Sequence, residues 1–207
     1  MDYRRAFRAA AVSFADLVSR VPGGRWDEAG LGEWTLRDLV GHAVSSGLGQ
    51  VPAALATPAG EVAVESAAAY FGLARKVPAE TYAAAVKASA EDARATGERL
   101  GDDPAATIGD LVGRATQALA ATGDDAVVTT AGGGMRLRDW LPTRTFELVV
   151  HGMDVAAAAG VDAGFGPDVT AEATLLAARI AVEIGDGPVV LRALTGRGPL
   201  PGSFSVV

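Results

Sequence analysis

One helix that mixes charge into an apolar background constrains this chain more than any other feature. The stretch Leu137 to Gly160 reads LRDWLPTRTFELVVHGMDVAAAAG. Phe146, Leu148, Val149, Val150 and Met153 spread apolar side chains over most of its circumference, which predicts a helix buried on most faces. Pro142 either sits in its first turn or kinks it. Glu147 and His151 are four apart and so stack on one face. A carboxylate in such surroundings requires a partner. A metal ion is one such partner, and Arg144, three residues earlier, is another.

The chain has two histidines and no cysteine. The second histidine, His42, lies in Trp34-Thr-Leu-Arg-Asp38-Leu-Val-Gly-His42, where Thr35 and Asp38 read as a helix N-cap and its N3 partner. If His42 enters from a second helix, the set becomes two imidazoles and one carboxylate. Three protein ligands leave a position open, as expected of reactive rather than structural zinc. Each part also has a plain reading. A lone histidine on an apolar helix is commonly a hydrogen-bonded core residue, and Glu147 with His151 is an ordinary i,i+4 pair. Asp38 and Asp154 are each within a turn of a histidine, where a carboxylate can orient the imidazole from its far nitrogen. The rival roles are a helix-start residue for Asp38 and a solvated residue for Asp154. Arg144 either binds an anionic substrate group or pairs with Glu147.

Composition removes other classes. Without cysteine there are no disulfides, thiolate ligands or intrinsic thiol nucleophile, so any sulfur chemistry uses a thiol from outside. A formal net charge of -7 argues against nucleic acid or an anionic membrane as the main partner. No run approaches the roughly 20 apolar residues of a membrane span, and no signal-peptide pattern follows the N-terminus. The expectation is a cytoplasmic protein of one domain. Gly132-Gly-Gly lacks the Gly-Lys-Ser/Thr of a phosphate loop, and no Gly-x-Ser-x-Gly elbow exists.

Along the chain, periodicity predicts helices over Asp2 to Ser19 and from Thr35 to a fade at Gly47-Leu-Gly. Residues 49–60 read as a connection or a helical extension that breaks at Pro58. Further helices are predicted from Glu61 to Lys76, from Pro78 to Leu100 and from Pro104 to Ala121. Ala126 to Leu137 is the one place where a small hairpin is favoured. The motif helix to Gly160 follows, then a helix capped by Asp168 or Thr170 and running to Ile184. A short turn and an extended tail complete an all-α bundle. Residues 1–160 are expected to form the metal-binding bundle, and 161–207 a C-terminal helix and tail packed on it. The exposed Ala-rich helices leave room for a homodimer.

The two motifs together, Trp34-Thr-Leu-Arg-Asp-Leu-Val-Gly-His42 and Arg144-x-x-Glu147-x-x-x-His151-Gly-x-Asp154, resemble the mycothiol-dependent maleylpyruvate isomerase family within the DinB-like metalloenzyme superfamily. The tail Leu191-Arg-Ala-Leu-Thr-Gly-Arg197-Gly-Pro-Leu-Pro looks like the ends of short actinobacterial members. The resemblance implies a DinB-like four-helix bundle with a divalent metal, usually zinc, held by His42, Glu147 and His151. The open position would receive mycothiol, so the reacting group is a metal-bound thiolate or water and no side chain is assigned that role. Arg144 or Arg197 would orient an anionic group. The isomerase proper carries an α/β C-terminal domain, whereas residues 155–207 show no sheet pattern. Thiol transfer, conjugation or isomerisation of a small electrophile is therefore the general expectation. The rival readings are a metal-water hydrolase and a non-catalytic DinB-like metal-binding or stress protein.

Overall fold

A computed structural model describes residues 2–207. Its elements are almost all helical, with one two-stranded hairpin among the described residues. The first helix, α1 (Tyr3–Ser19), starts where the Asp2 carboxylate accepts from the amides of Arg4 and Arg5. It buries Phe7, Ala10, Ala11, Phe14, Leu17 and Val18, the stripe that its periodicity predicts.

Helix α2 (Leu36–Val44) does not fade at Gly47 as expected. It passes through a π-helical turn at Ser45–Gly49 into α3 (Gln50–Leu55), and the chain stops being helical only near Pro58. Leu48 and Val51 are fully buried, so this extension is held by packing although two glycines weaken it locally. Helix α4 (Ala67–Gly72) is much shorter than the predicted Glu61 to Lys76, although a 3-10 turn at Leu73–Arg75 prolongs it. The cause lies in the hairpin. Strands β1 (Val127–Thr130) and β2 (Gly133–Arg136) pair antiparallel, and the Gly134 carbonyl accepts from the amides of Ala63 and Val64. A Cβ on Gly134 would lie 2.0 Å from the Glu61 carbonyl oxygen, so only glycine admits the segment there. Those preceding residues are claimed by the hairpin before a helix can start at its Ser66 cap.

Helices α5 (Ala79–Arg99) and α6 (Pro104–Ala120) follow the predicted spans closely. Helix α7 (Leu137–Ala159) carries Pro142 at its sixth residue, inside the helix and beyond its first turn, and ends on a left-handed Gly160. It is buried on most faces, although Met153 stands in solvent. Helix α8 (Pro167–Glu183) has Gly166 at its N-cap, so neither Asp168 nor Thr170 caps it. Thr170 instead donates to the Gly166 carbonyl. Helix α9 (Gly187–Leu194) lies on α8, and an irregular tail follows.

The core is a four-helix arrangement in which α1 packs on α6 and α7, α2 packs on α7, and α3 packs on α6. Helix α5 lies outside it against α2, and α8 covers α4, α7 and α1. Among the described residues no helix is long and apolar enough to cross a membrane.

The α2–α5 contact is unusually close because both helices carry glycine there. A Cβ on Gly41 would stand 2.1 Å from the Ala93 carbonyl oxygen, and one on Gly97 would stand 2.7 Å from that of Arg37. Backbone cannot move aside as a side chain can. Gly41→Ala should therefore destabilise the chain by about 1–3 kcal/mol in urea titrations. Gly109→Ala in α6, where a Cβ meets nothing within 4 Å, should be neutral or stabilising. Equal effects at the two positions would refute the close-packing account.

Candidate metal centre

Three polar side chains meet where α2 crosses α7. The Thr35 hydroxyl accepts from the Asp38 amide and the Asp38 carboxylate accepts from the Thr35 amide, which fixes the start of α2. Leu36, Leu39, Val40 and Ala43 go to the core, and His42, in the last turn, is left facing α7. On α7 the four-residue spacing stacks Glu147 beneath His151. His151 Nε2 stands 3.1 Å from Glu147 Oε2 and 3.1 Å from His42 Nε2. One ligand atom from each of the three residues lies within 4.8 Å of the others. Ligand atoms set tetrahedrally around an ion at about 2.0–2.1 Å are about 3.3 Å apart, so the donor set fits a small divalent ion such as zinc.

The far ring nitrogens are also engaged. His151 Nδ1 is 3.3 Å from Asp154 Oδ2, and His42 Nδ1 is 3.3 Å from the Ser89 hydroxyl on α5. The close α2–α5 packing brings Ser89 there. Asp38, expected beside His42, has its carboxylate in the capping box, and Ser89 occupies the place considered for it. The ring of Trp34 lies beside His42 at 4.9 Å between centroids. Ser89 carried no signal in the sequence, because a lone serine on an Ala-rich helix is indistinguishable from a surface residue.

Arg144 is 2% exposed and forms no ion pair with Glu147 among the described residues. Its Nη1 donates to the Ser46 carbonyl at 2.8 Å and to Gln50 Oε1 at 2.9 Å, and its Nε donates to the Thr143 hydroxyl. The guanidinium lies over the rings of Tyr70 and Trp140. Arg144 therefore bolts α7 to the π-helical turn. Arg197 is exposed in the turn after α9, and its contacts are with Arg192 and Thr195 of that turn. The structure does not bring it to the three-residue cluster.

The charges explain the protonation of the metal-free cluster. Burial pushes the His42 pKa down, the charge on His151 pushes it further, and it falls to about 4. Burial alone would lower that of His151 too. Hydrogen bonds to Asp154 and Glu147 outweigh it and lift the value to about 9. Burial works to raise the Glu147 value, but the His151 hydrogen bond and the Arg144 charge hold it below the usual carboxylate range. At neutral pH the metal-free chain thus holds a neutral His42 and an imidazolium at His151 between two carboxylates.

These shifts set a pH dependence. The stability contributed by His151 is complete below its unfolded value of 6.5 and is lost as pH rises towards about 9. His42 acts on the other side: from 6.5 down to about 4 the unfolded chain takes a proton that the folded chain refuses. The contribution of the two histidines in chelator-treated protein should therefore be greatest near pH 6.5, and His151→Ala should flatten its alkaline limb. Thermal unfolding across pH 4–10 checks this; an alkaline limb unchanged in the variant would refute it. Zinc added at pH 7 should release about one proton, read by calorimetry in buffers of different ionisation enthalpy.

Searches of curated proteins and of solved structures return no match. A comparison with protein families matches residues 7–156 to the mycothiol maleylpyruvate isomerase N-terminal domain. That span covers well over half of the 207 residues, runs from α1 into α7, and includes His42, Glu147 and His151. The chain belongs to the mycothiol maleylpyruvate isomerase N-terminal domain family.

Proposed function

We propose that this chain is a divalent-metal enzyme that uses a low-molecular-weight thiol, mycothiol by its family, to attack a small electrophile in a transfer, conjugation or isomerisation reaction. The observation that carries the proposal is the convergence of His42, Glu147 and His151 at a half-buried place. Among the described residues, no further His, Cys, Asp or Glu joins that group. Three protein donors suit a reactive metal, whereas structural zinc has four.

A zinc ion held by two neutral imidazoles and one carboxylate keeps a net local charge of about +1, which favours thiolate over thiol near neutral pH. The chain's own residues prepare that position. With Asp154 accepting from Nδ1–H of His151 and the Ser89 hydroxyl accepting from Nδ1–H of His42, both Nε2 lone pairs are left for the ion. The Trp34 ring shields His42 from one side. Arg144 holds the helix that carries Glu147 and His151 against the π-helical turn that follows His42. With no cysteine in the chain, the sulfur comes from the thiol partner.

Metal analysis of purified protein tests the centre. The wild-type chain should carry one equivalent of metal, His151→Ala should lose it, and Asp154→Asn should bind about 10–100-fold more weakly. Stoichiometric metal in His151→Ala would remove the ligand assignment. Titration of cobalt-substituted protein with mycothiol should then produce a thiolate charge-transfer band. A spectrum that does not change would remove the thiol from the proposal while leaving the metal site intact.

A further inference from the structure

Helix α7 borders a cavity on the face opposite the three-residue cluster. Arg138, Pro142 and Thr145 are spaced i, i+4, i+7 and form a stripe about half a turn away from Glu147 and His151. Beneath that stripe is an open-sided cavity of about 330 Å³, bordered by α1, by the start of α4 and by α8. Its volume falls at the lower end of the roughly 300–1,000 Å³ of small-molecule sites.

Its lining is that of a site rather than a packing gap. Ala6, Ala173 and Leu176 supply apolar wall. Thr145 is 3% exposed, and its hydroxyl reaches only the Leu141 carbonyl at 3.4 Å, beyond the usual range of such bonds, so the hydroxyl remains available. Pro142, in the same stripe, has no N–H to offer the Arg138 carbonyl, so α7 lacks one of its own hydrogen bonds here.

The charged groups of the lining differ in their engagement. Arg138 is paired with Asp125, Asp139 with Arg136 at 3.5 Å, and Glu172 is also engaged. Arg179 on α8 lines the cavity and forms no hydrogen bond or ion pair among the described residues. The first turn of α7, at Arg138 and Asp139, adds the positive end of a helix dipole.

We infer that this cavity is a second binding site, separate from the metal centre, for a small carboxylate with a compact apolar body. Arg179 takes the carboxylate, the wall of Ala6, Ala173 and Leu176 takes the body, and the Thr145 hydroxyl bonds a polar substituent or water. Helix α8 lies beyond the matched residues 7–156, so the cation that selects the ligand comes from outside the family domain.

Calorimetric titration of the full chain with benzoate tests the inference. Saturable binding at one site is expected, at least about tenfold weaker for benzyl alcohol and at least about tenfold weaker in Arg179→Ala, an exposed position whose change spares the fold. Thr145→Val should weaken it further without changing volume. Chelation of metal, and His151→Ala, should leave benzoate binding unchanged, which separates this site from the proposed enzyme chemistry. No saturable binding, equal affinity in Arg179→Ala, equal affinity for benzyl alcohol, or loss on chelation would each overturn it.

Discussion

The carboxylate of Glu147 lies on the inner face of α7, where it is largely removed from water, and a charge in that position persists only if the surrounding structure answers it. The answer here is shared. Arg144 acts on Glu147 only through its field, because its own hydrogen bonds go to Ser46 and Gln50. The direct partner is His151, which is held in turn by Asp154. Without metal, one proton on His151 binds the two carboxylates together while His42 remains neutral beside it. In the proposed function a divalent ion takes over the role of that proton. On that proposal the same geometry serves both states, since the charge at the centre changes while the donors already stand together.

Setting those positions requires a helix crossing of unusual closeness. Gly41 lets the backbone of α5 approach α2, and Gly47 makes room for the Leu148 side chain of α7. The π-helical turn at Ser45–Gly49 then redirects the chain, so that His42 faces α7 while α3 packs on α6. Arg144 closes the arrangement by binding the Ser46 carbonyl within that turn. The residue that sequence spacing places beside the cluster thus works one step away from it, by fixing the angle between the helix of one histidine and the helix of the other.

Much of this is legible in the sequence because it depends on local chemistry. The α1 stripe, the Thr35–Asp38 cap, the proline starts of α5 and α6, the Gly-rich hairpin and the stacking of Glu147 on His151 all follow from residues a few positions apart. The meeting of His42 with that pair is not local, and only the combined motifs pointed to it. What escaped the sequence is what long-range contact decides. Residues 61–65 have helical composition, yet the Gly134 carbonyl takes the amides of Ala63 and Val64. Ser89 reaches His42 only through two glycines on different helices. Arg144 has an acidic neighbour three residues away, yet it turns to a carbonyl that becomes its partner only when α2 and α7 pack. Arg197 sits in a flexible, common pattern, and nothing nearby could say where its turn would lie.

Helix α7 can be read as two devices sharing one backbone. One stripe carries Arg144, Glu147 and His151 with their charges satisfied inside the bundle. The other carries Pro142, whose missing amide would ordinarily weaken a helix interior. That weakness is tolerable because α7 is gripped on both sides, by Arg144 and the π-helical turn on one and by α1 and α8 on the other. The second stripe is less fully bonded: Arg138 pairs with Asp125, whereas the Thr145 hydroxyl has only a long bond to the Leu141 carbonyl. Arg144, Glu147 and His151 are bonded to protein groups, whereas the Thr145 hydroxyl has one long bond and Arg179 has no protein partner among the described residues. A weakly bonded, buried hydroxyl near a guanidinium that has no protein partner among the described residues supplies the polar groups that the inferred site needs.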